Sequence, residues 1–345
     1  MLKIFFLLFL MLNSAISVAA NFSSLKTQIW HAPDFEFHTG EVVKDLSIGY
    51  VTLGDPSKPA VLILHGTAGS SVGMLNKEFG EELFLKGQPL DAERYYIIIP
   101  DAIGVGHSSK PSDGLKAKFP SYNYDDMVKA QYRLVTEGLK IQTLKLVLGN
   151  SMGGMQAWIW GSKYPDMMQY LVPMASTPMA MSGRNWILRR MMTELIRKDP
   201  AWHNGNYEHQ PNITQLASVF FGLATSGGTQ HLQSLAPNSS LADKLIADRL
   251  SQPFSIDTND FLYQWEASRD FDPSANLQNI KAQVLAINSA DDERNPPEIG
   301  VMQELLKKIQ FAKLFLISAS KDTAGHSTTG QAKWWKEELR RFIQP

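Results

Sequence analysis

An apolar run, Leu144-Lys145-Leu146-Val147-Leu148, leads directly into Gly149-Asn150-Ser151-Met152-Gly153, which places a serine inside G-x-S-x-G. The helix-compatible run Met155-Gln156-Ala157-Trp158-Ile159-Trp160 follows. A strand that bends this tightly into a helix leaves no room for side chains beside the serine, so glycine stands two residues before it and two after. Ser151 is then expected at the tip of a sheet with a helix N-terminus behind it, the arrangement of a nucleophile elbow. The bare five-residue pattern occurs by chance in roughly one chain in ten of this length. The strand before it and the helix after it therefore carry the reading.

A serine nucleophile needs a base to take its proton, an acid to hold that base, and backbone N–H groups to receive the oxyanion. In folds with this elbow the acid and the base follow the serine, in that order, on loops after later strands. The strand-like run 282–288 leads into Ser289-Ala290-Asp291-Asp292-Glu293-Arg294-Asn295-Pro296-Pro297. An acid is expected there, and chemistry alone does not separate Asp291 from Asp292. The next strand-like run, 312–317, is followed by Ala324-Gly325-His326 and a terminal helix that includes Trp334, Trp335 and Leu339. His326 fits the base. The oxyanion hole combines the N–H of Met152, directly after the serine, with one from the loop after an earlier strand. Residues 59–64 read as that strand, His65-Gly66-Thr67-Ala68-Gly69-Ser70 as the small-residue loop, and Thr67 as the second donor. One such donor is worth about 3 kcal/mol in the transition state.

Each feature also has a plainer reading. Ser151 suits a turn, His326 a satisfied loop histidine, and the two aspartates a solvated pair capping the next helix. What favours the chemical reading is their order: elbow, oxyanion loop, acid loop and histidine loop occur as required at plausible strand ends.

Short apolar runs alternate with helical patterns, which predicts an α/β fold with a mostly parallel central sheet flanked by helices on both faces. Strands are expected at 46–53, 60–64, 95–99, 144–148, 170–174, 284–287 and 314–317, with helices clearest at 125–140 and 153–163. The second helix stops at Tyr164-Pro165, as a helix does before proline. Asp101 and His107, in the loop 100–109, read as structural. Residues 177–280 lack strand alternation and hold several helix-like pieces, a helical lid insertion that covers the nucleophile and shapes the pocket. Within it Met179, Met181, Met191 and Met192, with Trp186 and Trp202, are read as lid core rather than pocket lining.

Residues 4–12 are unbroken apolar after Lys3, and Ser17-Val18-Ala19-Ala20 supplies small residues suited to cleavage. Residues 1–20 thus read as a signal peptide, leaving an α/β domain over 21–345 that is exported, periplasmic or secreted. The run is too short for a bilayer, which needs about 20 apolar residues, so no stable membrane anchor is expected. The chain has no cysteine, which excludes disulfides, thiolate metal sites, a cysteine nucleophile and an acylated-cysteine anchor. A net charge of -1 with no basic patch gives no nucleic-acid signal.

The segment Ser151-Met152-Gly153-Gly154-Met155-Gln156, and Asp199-Pro200-Ala201-Trp202 followed by Gly205, Tyr207 and Pro211, resemble the nucleophile and lid signatures of the homoserine O-acetyltransferases, a family of the α/β-hydrolase superfamily. The resemblance implies an acyl-enzyme on Ser151, formed from acetyl-CoA and passed to a hydroxyl. Related sequences place the acid four residues before the proline that opens the next helix, which selects Asp292. The resemblance also implies an aspartate just after the histidine for the substrate ammonium, where this chain has Ser327. It implies an arginine for the substrate carboxylate, where this chain has Thr193, with Arg189 and Arg190 a turn earlier.

The expectation is a serine hydrolase or O-acyltransferase using Ser151, His326 and Asp292, with Met152 and Thr67 at the oxyanion. Its partners are small-molecule esters, thioesters or acyl acceptors; no metal or cofactor is required, and a homodimer is compatible with the sequence. Hydrolysis is favoured because acetyl-CoA is cytosolic. The alternatives are acetyl transfer from acetyl-CoA to homoserine or a related hydroxyl, and a silent binding module whose serine would not react with a fluorophosphonate.

Overall fold

The computed structural model describes residues 22 and 24–343. The signal-peptide reading of residues 1–20 lies outside the described residues.

Eight strands form one sheet: β1 (Gln28–Glu36), β2 (Val42–Leu53), β3 (Ala60–Leu64), β4 (Tyr96–Pro100), β5 (Leu144–Asn150), β6 (Met168–Met174), β7 (Gln283–Ser289) and β8 (Ala312–Ile317). Their order is β1-β2-β4-β3-β5-β6-β7-β8. The pairs β1–β2 and β2–β4 are antiparallel and every other pair is parallel. All the residues of β3 and β4 are buried, as expected of strands covered on both faces. Leu62, Ile98 and Val147 belong to a core shared with Trp158 and Trp160, while Val61, Ile97 and Leu148 join Phe79, Trp335 and Leu339 on the other face.

The seven expected strands are all present. β1 is additional, and its composition explains why it escaped notice. It is an edge strand that contains Pro33, a residue that edges accept and central strands do not, and most of its residues face solvent.

Beside a single turn at Glu82–Phe84, the α-helices in chain order are α1 (Tyr124–Arg133), α2 (Met152–Lys163), α3 (Gly183–Lys198), α4 (Ile213–Ser226), α5 (Thr229–Leu235), α6 (Ser239–Leu250), α7 (Thr258–Glu266), α8 (Val301–Leu306) and α9 (Lys336–Ile343). Helix α1 runs on through a wider turn over Leu134–Gly138. Helices α3 to α7 all fall between β6 and β7, and they carry a small core of their own around Met192, Ile196, Phe221, Phe261 and Trp265. The four methionines of this stretch divide. Met192 is in that core, whereas its neighbour Met191 points away from it and is 52% exposed; Met179 and Met181 line the cleft over Ser151. Consecutive helical positions differ by about 100° around the axis, so Met191 and Met192 cannot both face inward. Among the described residues no helix is long and apolar enough to cross a membrane.

Candidate active site

The strand β5 ends at Asn150 and α2 begins at Met152, so the whole turn falls on Ser151, which takes φ 57° and ψ -113°. A non-glycine residue held there stores on the order of 1–3 kcal/mol, sustained by its surroundings. Two backbone bonds hold it: Ser151 N–H donates to Met174 O (2.9 Å), and Met155 N–H donates to Ser151 O (2.9 Å). The flanking glycines answer a close approach of backbones. A methyl group on Gly149 would overlap Gly153 O, and one on Gly153 would overlap Leu64 O at the end of β3.

Strand ends then bring the other groups to Ser151. Its Oγ lies 2.7 Å from His326 Nε2, and His326 Nδ1 lies 2.8 Å from Asp292 Oδ2. Nδ1–H donates to the carboxylate, which leaves Nε2 as the acceptor for the serine hydroxyl. Asp292 is 1% exposed and is held from three further directions: by Arg294 N–H (2.8 Å), Asn295 N–H (3.3 Å) and Asn295 Nδ2–H (3.0 Å). Asp291 does something else. It accepts from Ser289 Oγ, Thr323 Oγ1 (2.7 Å) and Gly325 N–H (3.2 Å), and so pins the base of the histidine loop. Thr329 closes that loop onto the elbow by donating to Asn150 Oδ1 (2.7 Å).

The electrostatics follow from burial and pairing. Burial holds the His326 imidazole below its ordinary value; Asp292 pulls the other way, and the charge of Arg294 adds to the lowering. For Asp292, burial alone would raise the carboxyl. The charge and hydrogen bond of His326, with the bonds from Asn295 and Arg294 N–H, outweigh it and hold the group below the usual carboxylate range.

The loop after β3 lies against the serine. A methyl group on Gly66, just before Thr67, would sit 3.5 Å from Ser151 Cβ. Neither Thr67 N–H nor Met152 N–H has an acceptor among the described residues. For Met152 this is the orphan state of a helix N-terminus. His65 fixes the loop: Nδ1–H donates to Gly66 O (2.8 Å) and Nε2 accepts Ala102 N–H (3.0 Å). Burial keeps this imidazole neutral by lowering its pKa. Asp101 accepts from Ser71 N–H (2.6 Å) and His107 N–H (2.9 Å), a loop-bracing role.

Gln264, on α7, has no local sequence signal and yet reaches the same loop. Its Oε1 accepts Ala68 N–H (2.8 Å) across 196 residues of sequence, at a position where Ala68 has φ 60°. The lid signature explains how α7 gets there. Asp199 caps the turn that carries Trp202, Trp202 Nε1–H donates to Asn259 Oδ1 (3.0 Å), and Asn259 Nδ2–H donates to Gly205 O (2.9 Å). Tyr207 donates to Asp257 Oδ1 (2.7 Å) and accepts Asn259 N–H (3.0 Å). These residues build the first turn of α7 rather than touch the cleft. Thr193, likewise, is buried with its hydroxyl on Arg190 O (3.1 Å), and Ser327 is exposed.

Residues 59–321 match the family described as the alpha/beta hydrolase fold. The homoserine O-acetyltransferase of Trichormus variabilis is 30% identical over 333 residues, covering 87% of this chain and 89% of that protein. The chain belongs to the homoserine O-acetyltransferase-like family of α/β hydrolases. A probable acyltransferase of Methanothermobacter thermautotrophicus is 29% identical over 323 residues, 90% of this chain and 95% of its own length. Two solved structures share the fold. One is an acetylester hydrolase from Corynebacterium glutamicum (TM-score 0.79, 22% identity, 93% of this chain and 96% of that one). The other is a homoserine O-acetyltransferase from Bacillus anthracis (TM-score 0.82, 20% identity, 93% and 98%). At this level this homoserine O-acetyltransferase-like protein is an α/β-hydrolase acyl-transfer enzyme.

Proposed function

We propose that the protein is a serine-dependent enzyme that forms an acyl-enzyme on Ser151 and passes the acyl group to water, hydrolysing a small ester or thioester. The observation that carries this reading is the unbroken chain of short contacts, Ser151 Oγ to His326 Nε2 at 2.7 Å and His326 Nδ1 to Asp292 at 2.8 Å. His326 takes the serine proton as Oγ attacks the carbonyl carbon, and Asp292 orients the ring and stabilises the imidazolium. The N–H groups of Met152 and Thr67 receive the oxyanion. The alcohol or thiol leaves with the proton from His326. A water, deprotonated by His326, then attacks the acyl group, and the carboxylic acid departs as Ser151 regains its proton.

Two features favour water over homoserine as the acceptor. The position expected to meet the substrate ammonium carries Ser327, which is exposed and supplies no negative charge. The apolar run at residues 4–12 supports an exported, periplasmic or secreted location without cytosolic acetyl-CoA, and N-terminal sequencing of the fractionated protein tests that. The second reading, acetyl transfer to homoserine, is supported by relatives of that name over most of the chain.

The test is incubation with p-nitrophenyl acetate and butyrate, with and without excess homoserine, beside Ser151→Ala. Free acid alone, dependent on Ser151, is the expected product. O-acyl homoserine detected by mass would replace hydrolysis with transfer.

A further inference from the structure

The cleft that holds Ser151 and His326 is also lined by Arg189 and Arg294. Arg189 is 1% exposed; its Nε–H donates to Asn185 Oδ1 (2.9 Å) and its Nη1–H to Ser268 Oγ (3.0 Å). Arg294, partly buried, donates from Nε to Thr225 Oγ1 (3.0 Å) and from Nη2 to Ser226 Oγ (2.6 Å). All four acceptors are neutral. Both guanidinium groups rest on one ring, 4.8 and 5.8 Å from the centroid of Trp265, and Arg294 also lies 4.5 Å from the Phe221 ring.

Neither arginine has a carboxylate within 4.0 Å among the described residues. Other arginines of α3 do: Arg190 pairs with Glu194 and Glu266, and Arg197 with Glu266. The two paired arginines do not line the cleft, whereas Arg184, which is exposed, and Arg189, which is buried, line it with no carboxylate partner among the described residues. Two like charges taken out of water with no directly bonded carboxylate are expensive, and an anion with good geometry relieves the penalty. Its consequence appears on Arg294, whose guanidinium is pushed down to about 9 by burial and by the charge of Arg189, against the opposing charges of Asp292 and Glu293. The nearest acid in sequence, Glu293, spends one oxygen on Gly228 N–H (3.0 Å), and its other oxygen has no partner. Arg189 Nη2 and Arg294 Nη1 have no partner among the described residues, so each keeps donors for a ligand. The wall also carries Glu293 and neutral polar groups such as Asn185, Asn288 and Asn295; its apolar part, Met155, Met179, Met181 and Met302, suits a methylene spacer.

We propose that Arg189 and Arg294 bind a carboxylate carried by the substrate, so that the preferred ester is a short anionic one. This rests on the serine-enzyme reading above for the reaction, though not for the binding. A guanidinium presents donors in a planar fork that matches a carboxylate, which an isosteric methyl group cannot replace. The carboxylate can belong to the acyl or to the alcohol half of the ester.

The test uses two matched pairs, with Ser151→Ala binding measured by calorimetry and wild-type kcat/KM by acid release. The acyl pair is monoethyl succinate against ethyl butanoate; the alcohol pair is 3-acetoxypropanoate against propyl acetate. At least a tenfold preference for the carboxylate member of one pair is expected, and that pair identifies the half. Arg294→Met and Arg189→Met should each reduce the preference at least tenfold, and Arg294→Lys should restore part of it. Preference near one in both pairs, or a preference unmoved by both methionine variants, overturns the proposal. If Arg189→Met does not fold, Arg294→Met decides, since its side chain is less buried. Failure of Ser151 to react with a fluorophosphonate would sink the serine mechanism instead, and the calorimetry would still decide the anion site.

Discussion

Asp291 and Asp292 are consecutive in sequence and hold different parts of the site: Asp292 bonds the His326 ring at 2.8 Å, while Asp291 bonds the Gly325 N–H at 3.2 Å, one residue earlier in the same loop. One carboxylate orients the imidazole and the other sets the backbone that presents it. The two substitutions to asparagine therefore have different signatures. Asp292→Asn should lower kcat on p-nitrophenyl acetate by on the order of 10⁴, through the wrong imidazole tautomer, as found for the same change in a serine protease. Asp291→Asn should lower kcat less than tenfold and destabilise the fold by about 1–3 kcal/mol, from hydrogen bonds left unsatisfied on Thr323 and Gly325. Equal kcat losses, or the reverse order, would refute this division of labour.

The acid limb of kcat/KM is expected below the ordinary histidine value of about 6.5. The base must be neutral to accept the serine proton, and burial, assisted by Arg294, favours the neutral ring against the pull of Asp292. Activity on an uncharged ester is therefore retained as pH falls to 6.5 and is lost only on further acidification. Arg294→Met removes one lowering influence and should move the limb to higher pH. A pH profile with its wild-type midpoint at or above 6.5 would contradict this account.

On the proposed mechanism Gln264 positions the loop that carries the Thr67 N–H, since it bonds Ala68 N–H, one residue past Thr67. Gln264→Leu should lower kcat about tenfold with KM changed less than threefold, because a loop displaced by tenths of an ångström weakens transition-state contacts before ground-state ones. A purely structural role would instead lower the unfolding temperature and leave the kcat of the folded fraction unchanged. Measuring both on one preparation separates the two.

What the sequence disclosed and what it hid have physical causes. Strands β3 to β7 are buried on both faces, so their apolar runs stand out; β1 is half solvated and interrupted by Pro33, so it does not. Ser151, Asp292 and His326 were legible because each follows a strand, and parallel strands deliver their C-terminal ends to one edge of the sheet. Nothing local marks Gln264 or Arg189. Gln264 reaches the loop after β3, and Arg189 the cleft, only because the helices between β6 and β7 fold back over the sheet, and the periodicity of an amphipathic helix does not say what it packs against. Asp291 and Asp292 have the same chemistry at adjacent positions, so the resemblance alone selected Asp292, and the role of Asp291 at Thr323 and Gly325 had no sequence signal.

Two glycine substitutions test the backbone argument at the elbow. Gly149→Ala places a methyl group into Gly153 O, and backbone on both sides prevents relief, so the variant should lose several kcal/mol or fail to fold, beyond the 1–3 kcal/mol of ordinary overpacking. Gly222 lies inside α4 with nothing within 4 Å of the same added atom. There alanine removes the entropic penalty of a helical glycine, and Gly222→Ala should stabilise the protein by about 0.5–1 kcal/mol. Thermal unfolding of the two variants side by side reads both effects. A stable Gly149→Ala protein with full activity would mean that the glycine answers no close approach and that the elbow is looser than its contacts imply.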